Sequence, residues 1–398
     1  MRRPRLIDPG HSAITSEMAL IGVDPVGIGI MEGKSRHHVI RLDDVDLRAA
    51  LILKQDMLSL GGDAALTRSA AGLRVKTTPV LLMGTSRQLR DLVSKLGGQP
   101  FRLSELSRSI EKLLDTIGKD LSFFVGEQDI LAGGRKAVVG ILNVTPDSFS
   151  DGGLYSDTKT AVARGMEMSQ QGARMIDVGG ESTRPGAEPV DPKEELERVI
   201  PVIRGLADRG VSNISVDTTR SEVAAKAMEE GASVINDISA MTFDPEMLSV
   251  AAGTGASVIL MHTRGRPESM QDDLVYDDLM GEVCGNLEKA LDLAVDAGIP
   301  VEKICLDPGI GFGKSLEQNL ELIARIGELR SLGACTMAGT SRKSFIGALT
   351  GAEVDERMPG SISTAVAAAL NGADMVRVHD VFETVQAMAM VEGIEGTK

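Results

Sequence analysis

The chain has no tryptophan, two tyrosines and eight phenylalanines, so aromatic residues make up 3% of its 398 positions. That excludes a platform of stacking rings for nucleic-acid bases. It leaves the core to aliphatic side chains and to 19 methionines, which fill irregular gaps. Cysteine is scarce too. Cys284, Cys305 and Cys335 form no CxxC pair. Cys305 and Cys335 fall in apolar runs and read as buried free thiols of a reducing, cytoplasmic compartment. No apolar run reaches 20 residues and no charged-then-apolar leader follows Met1, which argues against a membrane span and a secretory signal. Positive charge is short as well: 42 Lys and Arg stand against 57 Asp and Glu, a net charge of −15. A field of that sign disfavours nucleic acid and anionic membranes. A local group of cations therefore stands out.

What is present is a regular alternation. From Ala137 onward, eight short apolar runs alternate with helical patterns: 137–144, 174–179, 212–217, 233–238, 256–261, 303–307, 334–338 and 374–378. They are rich in Leu and β-branched residues and lack polar alternation, as strands buried on both faces do. Asp191-Pro192 followed by Glu194, and Asp244-Pro245 followed by Glu246, carry a capping Asp, a first-turn Pro and an early acid. Both predict helix starts. Gly172, Gly210, Gly231, Gly298 and Gly372 stand where helices should stop. Eight strand–helix units over 137–398 fit a (β/α)₈ TIM barrel, typically about 250 residues. An open doubly wound sheet is the other arrangement the pattern allows. A further short helix is expected within 341–350, after the seventh strand, where barrels often hold phosphate.

Residues 1–136 predict a small α/β module. Strands are expected at 39–42 and 79–83, helices at 47–60, 87–96 and 104–117, and a linker at 118–136. The tetrapeptide GTSR stands at Gly84 and again at Gly339, each time between an apolar run and a helix. Chance or a shared strand–turn–helix geometry accounts for it, and this half carries no evident chemistry.

The ends of the eight strands carry Asn143; Glu181, Thr183 and Arg184; Asp217; Asn236 and Asp237; His262; Asp307; Thr340 to Ser344; and Arg377 and His379. In a barrel these ends converge on one mouth, and polar residues at every end predict an active site. Asp217, Asn236 and Asp307 suit a flat ligand with alternating donors and acceptors. Asn-Asp and Asp-Pro are also common turn pairs. Lys343, Arg377 and His379 group three cations at the last two strand ends and predict a phosphate clamp. The segment Asp307 to Lys314 is glycine-rich, but the gap between Gly309 and Lys314 is too short for a P-loop. Its glycines let backbone approach a ligand, with Phe312 as a wall. His262 has no HExxH or Cys company, which argues against zinc. Mg²⁺ held by few protein oxygens and by substrate phosphates fits better, with Asn143 as its candidate ligand.

The order of motifs is specific. NVTPDSFSDGG, DVGGESTRPGA, SVDT, INDIS, LMH, DPGIGFGKS, GTSRKS and RVHDV follow one another between about Ala137 and Gly393. This stretch resembles the dihydropteroate synthases, the folate-pathway family that joins a pterin to p-aminobenzoate. The resemblance implies a pterin-reading set of Asp217, Asn236, Met261, Asp307 and Lys343. It implies a p-aminobenzoate pocket of Thr183, Arg184, Pro185, Phe312 and Ser344, and a Mg²⁺ ligand in Asn143. Arg377 and His379 resemble the pyrophosphate site, and Asp151 in the first loop would help close the site. Asp217, Lys343, Arg377 and His379 are the expected catalytic group. Relatives imply a homodimer acting on small molecules, with no nucleic-acid or membrane partner. Thr263-Arg264 departs from the family pattern after His262. Two other readings are a methyltetrahydrofolate-dependent methyltransferase and a non-catalytic pterin-binding protein. The first needs neither STRPG nor SRKS. The second would be expected to lack some of Asn143, Lys343, Arg377 and His379.

Overall fold

The computed structural model describes residues 4, 5, 7, 13–144, 154–181 and 190–396. Two compact units divide the chain, one ending at Lys119 and one running from Asp120 to Gly396. The sequence-derived boundary at 136 therefore falls inside the second unit.

In the first unit, strands His37–Asp46, Thr77–Thr85 and Asp63–Leu66 form an antiparallel sheet with Thr77–Thr85 in the centre. Helices Leu47–Ser59, Ser86–Leu96 and Leu103–Thr116 match expectation to within one or two residues at each end. Leu53, Met57, Val80, Leu82, Leu89 and Leu92 pack into one aliphatic core. Thr85 of the first GTSR caps the helix Ser86–Leu96 in a reciprocal box with Gln88. Two helices, Ala13–Leu20 and Pro25–Ser35, and the short strand at 63–66 were not foreseen.

The second unit is a closed parallel barrel of eight strands: β1 (Ala137–Asn143), β2 (Met175–Gly179), β3 (Ile214–Asp217), β4 (Val234–Asp237), β5 (Ser257–Met261), β6 (Ile304–Asp307), β7 (Cys335–Ala338) and β8 (Met375–Val378). Strand β8 closes onto β1, with Arg377 opposite Val139. Each strand falls within its predicted run. The five predicted stop glycines all adopt positive φ, which explains why glycine stands there. Asp191 caps helix Pro192–Ala207 through the Lys193 N–H at 2.9 Å. Asp244 differs: its helix begins at Met247, and its carboxylate accepts from the N–H groups of both Glu246 and Ser221. It thus serves the start of the neighbouring helix, Ser221–Glu229.

Alternate residues face opposite ways, as strand pleating requires. Ile176, Val178, Val216, Ile235, Val258, Leu260, Leu306, Val376 and Val378 pack outward against the helices. Val139, Met175, Val234, Ile259, Cys305, Cys335, Met337 and Met375 form a separate buried cluster inside. The expected linker supplies the rest of that cluster. Strands Phe124–Val125 and Gln128–Asp129 make a hairpin, and Phe123, Val125, Ile130 and Leu131 join the lumen residues as a floor. Asp129 pins the hairpin by accepting from the N–H groups of Phe123 and Leu131. All three cysteines are free, with Cys305 and Cys335 buried as expected. No helix among the described residues is long and apolar enough to cross a membrane.

Candidate active site

Above the apolar floor the lumen becomes polar within one pleat. Met175 is followed inward by Asp177, Val234 by Asn236, Cys305 by Asp307 and Met375 by Arg377. Arg377 reaches across the barrel. Its Nε donates to Asp177 Oδ2 and its Nη2 to Asp217 Oδ2, both at 2.6 Å. Asn236 Nδ2 donates to the same Asp177 oxygen at 3.0 Å. One carboxylate thereby orients both a clamp residue and a pterin-set residue. Burial opposes the Arg377 charge, but Asp177 and Asp217 more than offset it and keep the guanidinium protonated. Burial pushes the Asp217 carboxyl well above the usual carboxylate range, and Arg377 pulls it back.

Asp307 lies at the end of β6, where its Oδ1 accepts from the Gly309 N–H at 2.7 Å. Burial raises this carboxyl, while the Gly309 N–H, Lys343 and Arg377 favour its charged form. Asp237 instead turns to its own loop, accepting from Ser239 and Met241 N–H groups. Lys343 is the residue before the short helix Ser344–Thr350. Its ammonium donates to the Ile310 carbonyl and sits 4.2 Å from the Phe312 ring centre. Burial lowers Lys343 to about 8, against the pull of Asp307. Met261, Phe312, Ile238 and Met270 form a small apolar cluster at the mouth. Ser344 is exposed at the first turn of the short helix. His379 Nδ1 and Ser341 Oγ are 3.0 Å apart, so the second GTSR contacts the eighth strand end.

Thr183, Arg184, Pro185 and Asp151 lie outside the described residues. Asn143 is half-buried at the end of β1, opposite Gly179 of β2 and on the strand next to Arg377. Among the described residues no group of three or more His, Cys, Asp or Glu could hold a metal. One neutral amide oxygen beside a cationic strand end is consistent with a hard cation whose other ligands are phosphate and water. Arg264, the departure from the family pattern, does not join the lumen set. It pairs with Glu282, donates to Val275 O at 2.6 Å and stacks 3.7 Å over Tyr276, whose hydroxyl donates to Gly313 O.

Two groups were missed by reading strand ends alone. Asp177 sits inside an apolar run rather than at its end, and a carboxylate there is costly enough to have been the signal. Arg220 ion-pairs with Glu181 and Glu195 and donates to Val190 O at 2.6 Å, bracing both sides of the second loop. Beside it a cavity of about 260 Å³ opens between Asp217, Thr218, Arg220, Ile238, Phe243 and Arg266.

Comparison with known proteins gives this geometry a family. The family described as pterin binding enzyme matches residues 139–379. The dihydropteroate synthase of Synechocystis sp. is 50% identical over 65% of this chain and 89% of its own. A probable bifunctional folylpolyglutamate synthase/dihydropteroate synthase of Halobacterium salinarum is 42% identical over 93% of this chain. That match must take in most of the first unit, yet this chain spans only 44% of that protein's length. Among solved structures, Yersinia pestis dihydropteroate synthase with a sulfonamide drug aligns with a TM-score of 0.65 and 43% identity, covering 69% of this chain and all of that one. The chain belongs to the pterin-binding enzyme family, among its dihydropteroate synthases.

Proposed function

We propose that the chain joins 6-hydroxymethyl-7,8-dihydropterin diphosphate to p-aminobenzoate and releases pyrophosphate. The observation that carries this is the layer of Asp217, Asn236, Asp307 and Arg377 set directly above an apolar floor. Such a layer can read the donor and acceptor edge of a flat heterocycle while the floor keeps water out. Met261 and Phe312 would bound that heterocycle. Phe312 and Ser344, with Thr183, Arg184 and Pro185, would receive the arylamine.

The arylamine nitrogen forms a bond to the pterin methylene, and the methylene C–O bond breaks with its electron pair leaving on pyrophosphate. The new arylammonium then loses a proton. Arg377 and His379 would stabilise the charge growing on the leaving oxygens. Lys343 and Asp217 would hold the pterin in line. Asp151 would help exclude water from the reacting carbon. Asn143 would hold Mg²⁺ together with the substrate phosphates, and the ion would neutralise pyrophosphate as it leaves. The reading extends to a cytoplasmic homodimer that binds sulfonamides, on the likeness to the family; light scattering and sulfonamide titration test those two properties.

The test of the reaction is pyrophosphate release by the purified chain. Release should require the pterin diphosphate, p-aminobenzoate and Mg²⁺ together. Folded protein that forms no dihydropteroate would falsify this reading. Asn143→Ala should raise the Mg²⁺ concentration needed for half-maximal rate, and an unchanged requirement removes Asn143 from the metal site.

A further inference from the structure

The glycine-rich segment after β6 contains a lysine that neither the pterin set nor the pyrophosphate clamp uses. Lys314 is turned inward and is 4% exposed. Its Nζ donates to Phe312 O at 2.8 Å and to Gly309 O at 3.0 Å, and lies 3.2 Å from His262 Nδ1. An ammonium can only donate, so Nδ1 accepts and the ring proton belongs on Nε2. Burial drives His262 down to about 3, which keeps the ring neutral as this requires. Its Nε2 is buried and has no partner among the described residues.

The loop needs this cation because of its shape. Gly309, Gly311 and Gly313 all have positive φ, at 69°, 86° and 59°. A side chain at Gly309 would collide with the His262 carbonyl, so the loop is pressed against the end of β5. That conformation turns the Gly309 and Phe312 carbonyls toward the Lys314 ammonium, and the Gly309 carbonyl also accepts from the Phe312 N–H at 3.1 Å. Lys314 satisfies them, and Ser315 immediately starts helix Leu316–Arg325 with a reciprocal cap through Gln318.

The geometry points to Lys314 as a positioning residue: its ammonium ties the Gly309 and Phe312 carbonyls to His262 and so sets the Phe312 wall against which the arylamine would lie. This rests on the reaction proposed above. Lys343 Nζ lies 4.2 Å from the Phe312 ring centre, so Phe312 is held at its carbonyl by one lysine and at its ring by another. Lys314 touches no substrate position itself. The charged and titratable groups facing it are Asp307 on β6, Lys343 beside the short helix, Arg264 and His262 after β5, and Glu282 on the helix Leu279–Asp296. Burial lowers Lys314 to about 7, so its third donor is lost near neutrality.

The test compares the full-length chain with Lys314→Met, which keeps the stem and removes the donors. Steady-state kinetics are measured for each substrate from pH 6 to 9 alongside thermal melting. KM for p-aminobenzoate should rise roughly ten-fold in the variant, the scale of losing hydrogen bonds to a charge, while KM for the pterin diphosphate moves less. In the unsubstituted chain the arylamine KM should rise as pH passes about 7. That rise should vanish in Lys314→Met, leaving only titration of Lys343 near 8. A lowered melting temperature with both KM values and the pH profile unchanged overturns the proposal and makes Lys314 a core cation only. If Lys314→Met does not fold, His262→Leu withdraws the ring acceptor and should raise the arylamine KM in the same direction by a smaller factor; no rise overturns the proposal. If the unsubstituted chain makes no dihydropteroate, the functional reading fails first and this one with it.

Discussion

Removing the segment that reads as a linker should destroy the barrel. A chain beginning at Ala137 keeps all eight barrel strands and every site residue, but loses Phe123, Val125, Ile130 and Leu131. These are 0%, 4%, 3% and 2% exposed. Each such side chain contributes about 1.5–3 kcal/mol by leaving water, so the four together contribute roughly 6–12 kcal/mol. That is comparable with the whole stability of an ordinary domain, about 5–15 kcal/mol. The loss also bares Val139, Met175, Ile259 and Met337 to solvent through the open floor. It removes the Phe124 carbonyl that accepts from Ser257 Oγ on β5. A chain beginning at Asp120 keeps the hairpin and loses only the first unit, which has its own core. Circular-dichroism melting and pyrophosphate release should therefore separate the two truncations. The chain from Asp120 should melt cooperatively and remain active, and the chain from Ala137 should show neither property. Equal melting temperatures would refute the view that the hairpin is the barrel's floor.

Three further outcomes are expected. Asp177→Ala deletes one hydrogen bond from a guanidinium and one from an amide, roughly 3 kcal/mol together; pterin diphosphate binding by calorimetry should weaken sharply, and unchanged binding would leave Asp177 a purely structural acid. Activity should fall as pH rises through about 8, because Lys343 is an ammonium below that value and neutral above it; the limb near 8 in the kcat/KM profile for the pterin diphosphate should be lost in Lys343→Ala. Arg264→Gln should leave the pterin KM within about two-fold, since its partners are Glu282, Val275 and Tyr276 outside the lumen; a large change would return the residue to pterin selection.

The barrel was legible because its strands are short apolar runs separated by strong helix punctuation, and each run became one strand. Its mouth was legible because the polar residues stand at strand ends. The hairpin was not, since strands of two residues leave no periodicity to read. Asp244 marked a helix start, but the carboxylate also serves the preceding helix, Ser221–Glu229, and only tertiary contact decides that. Asp177 was hidden by its apolar neighbours, although its charge was the anomaly. The cation group at the last strand ends was legible as composition but not as arrangement. Arg377 turns into the lumen onto two carboxylates, Lys343 turns to Phe312, and only His379 stays beside Ser341. Side-chain reach, unlike strand order, leaves no trace in spacing.

The alternation of aliphatic jacket and polar lumen along each strand bears on how the chain finds its fold. A slip of one residue in any pairing would exchange the two faces. On β2 it would drive the Asp177 carboxylate into the layer of Val and Leu beneath the helices and bring Ile176 and Val178 to the mouth. On β8 it would strand the Arg377 guanidinium in the same hydrocarbon, far from any anion. An unpaired buried charge is among the costliest errors a compact chain can make. The acids and the arginine that would recognise a ligand therefore also proofread strand alignment, and a variant that neutralises them should refold with more misaligned species as well as bind less.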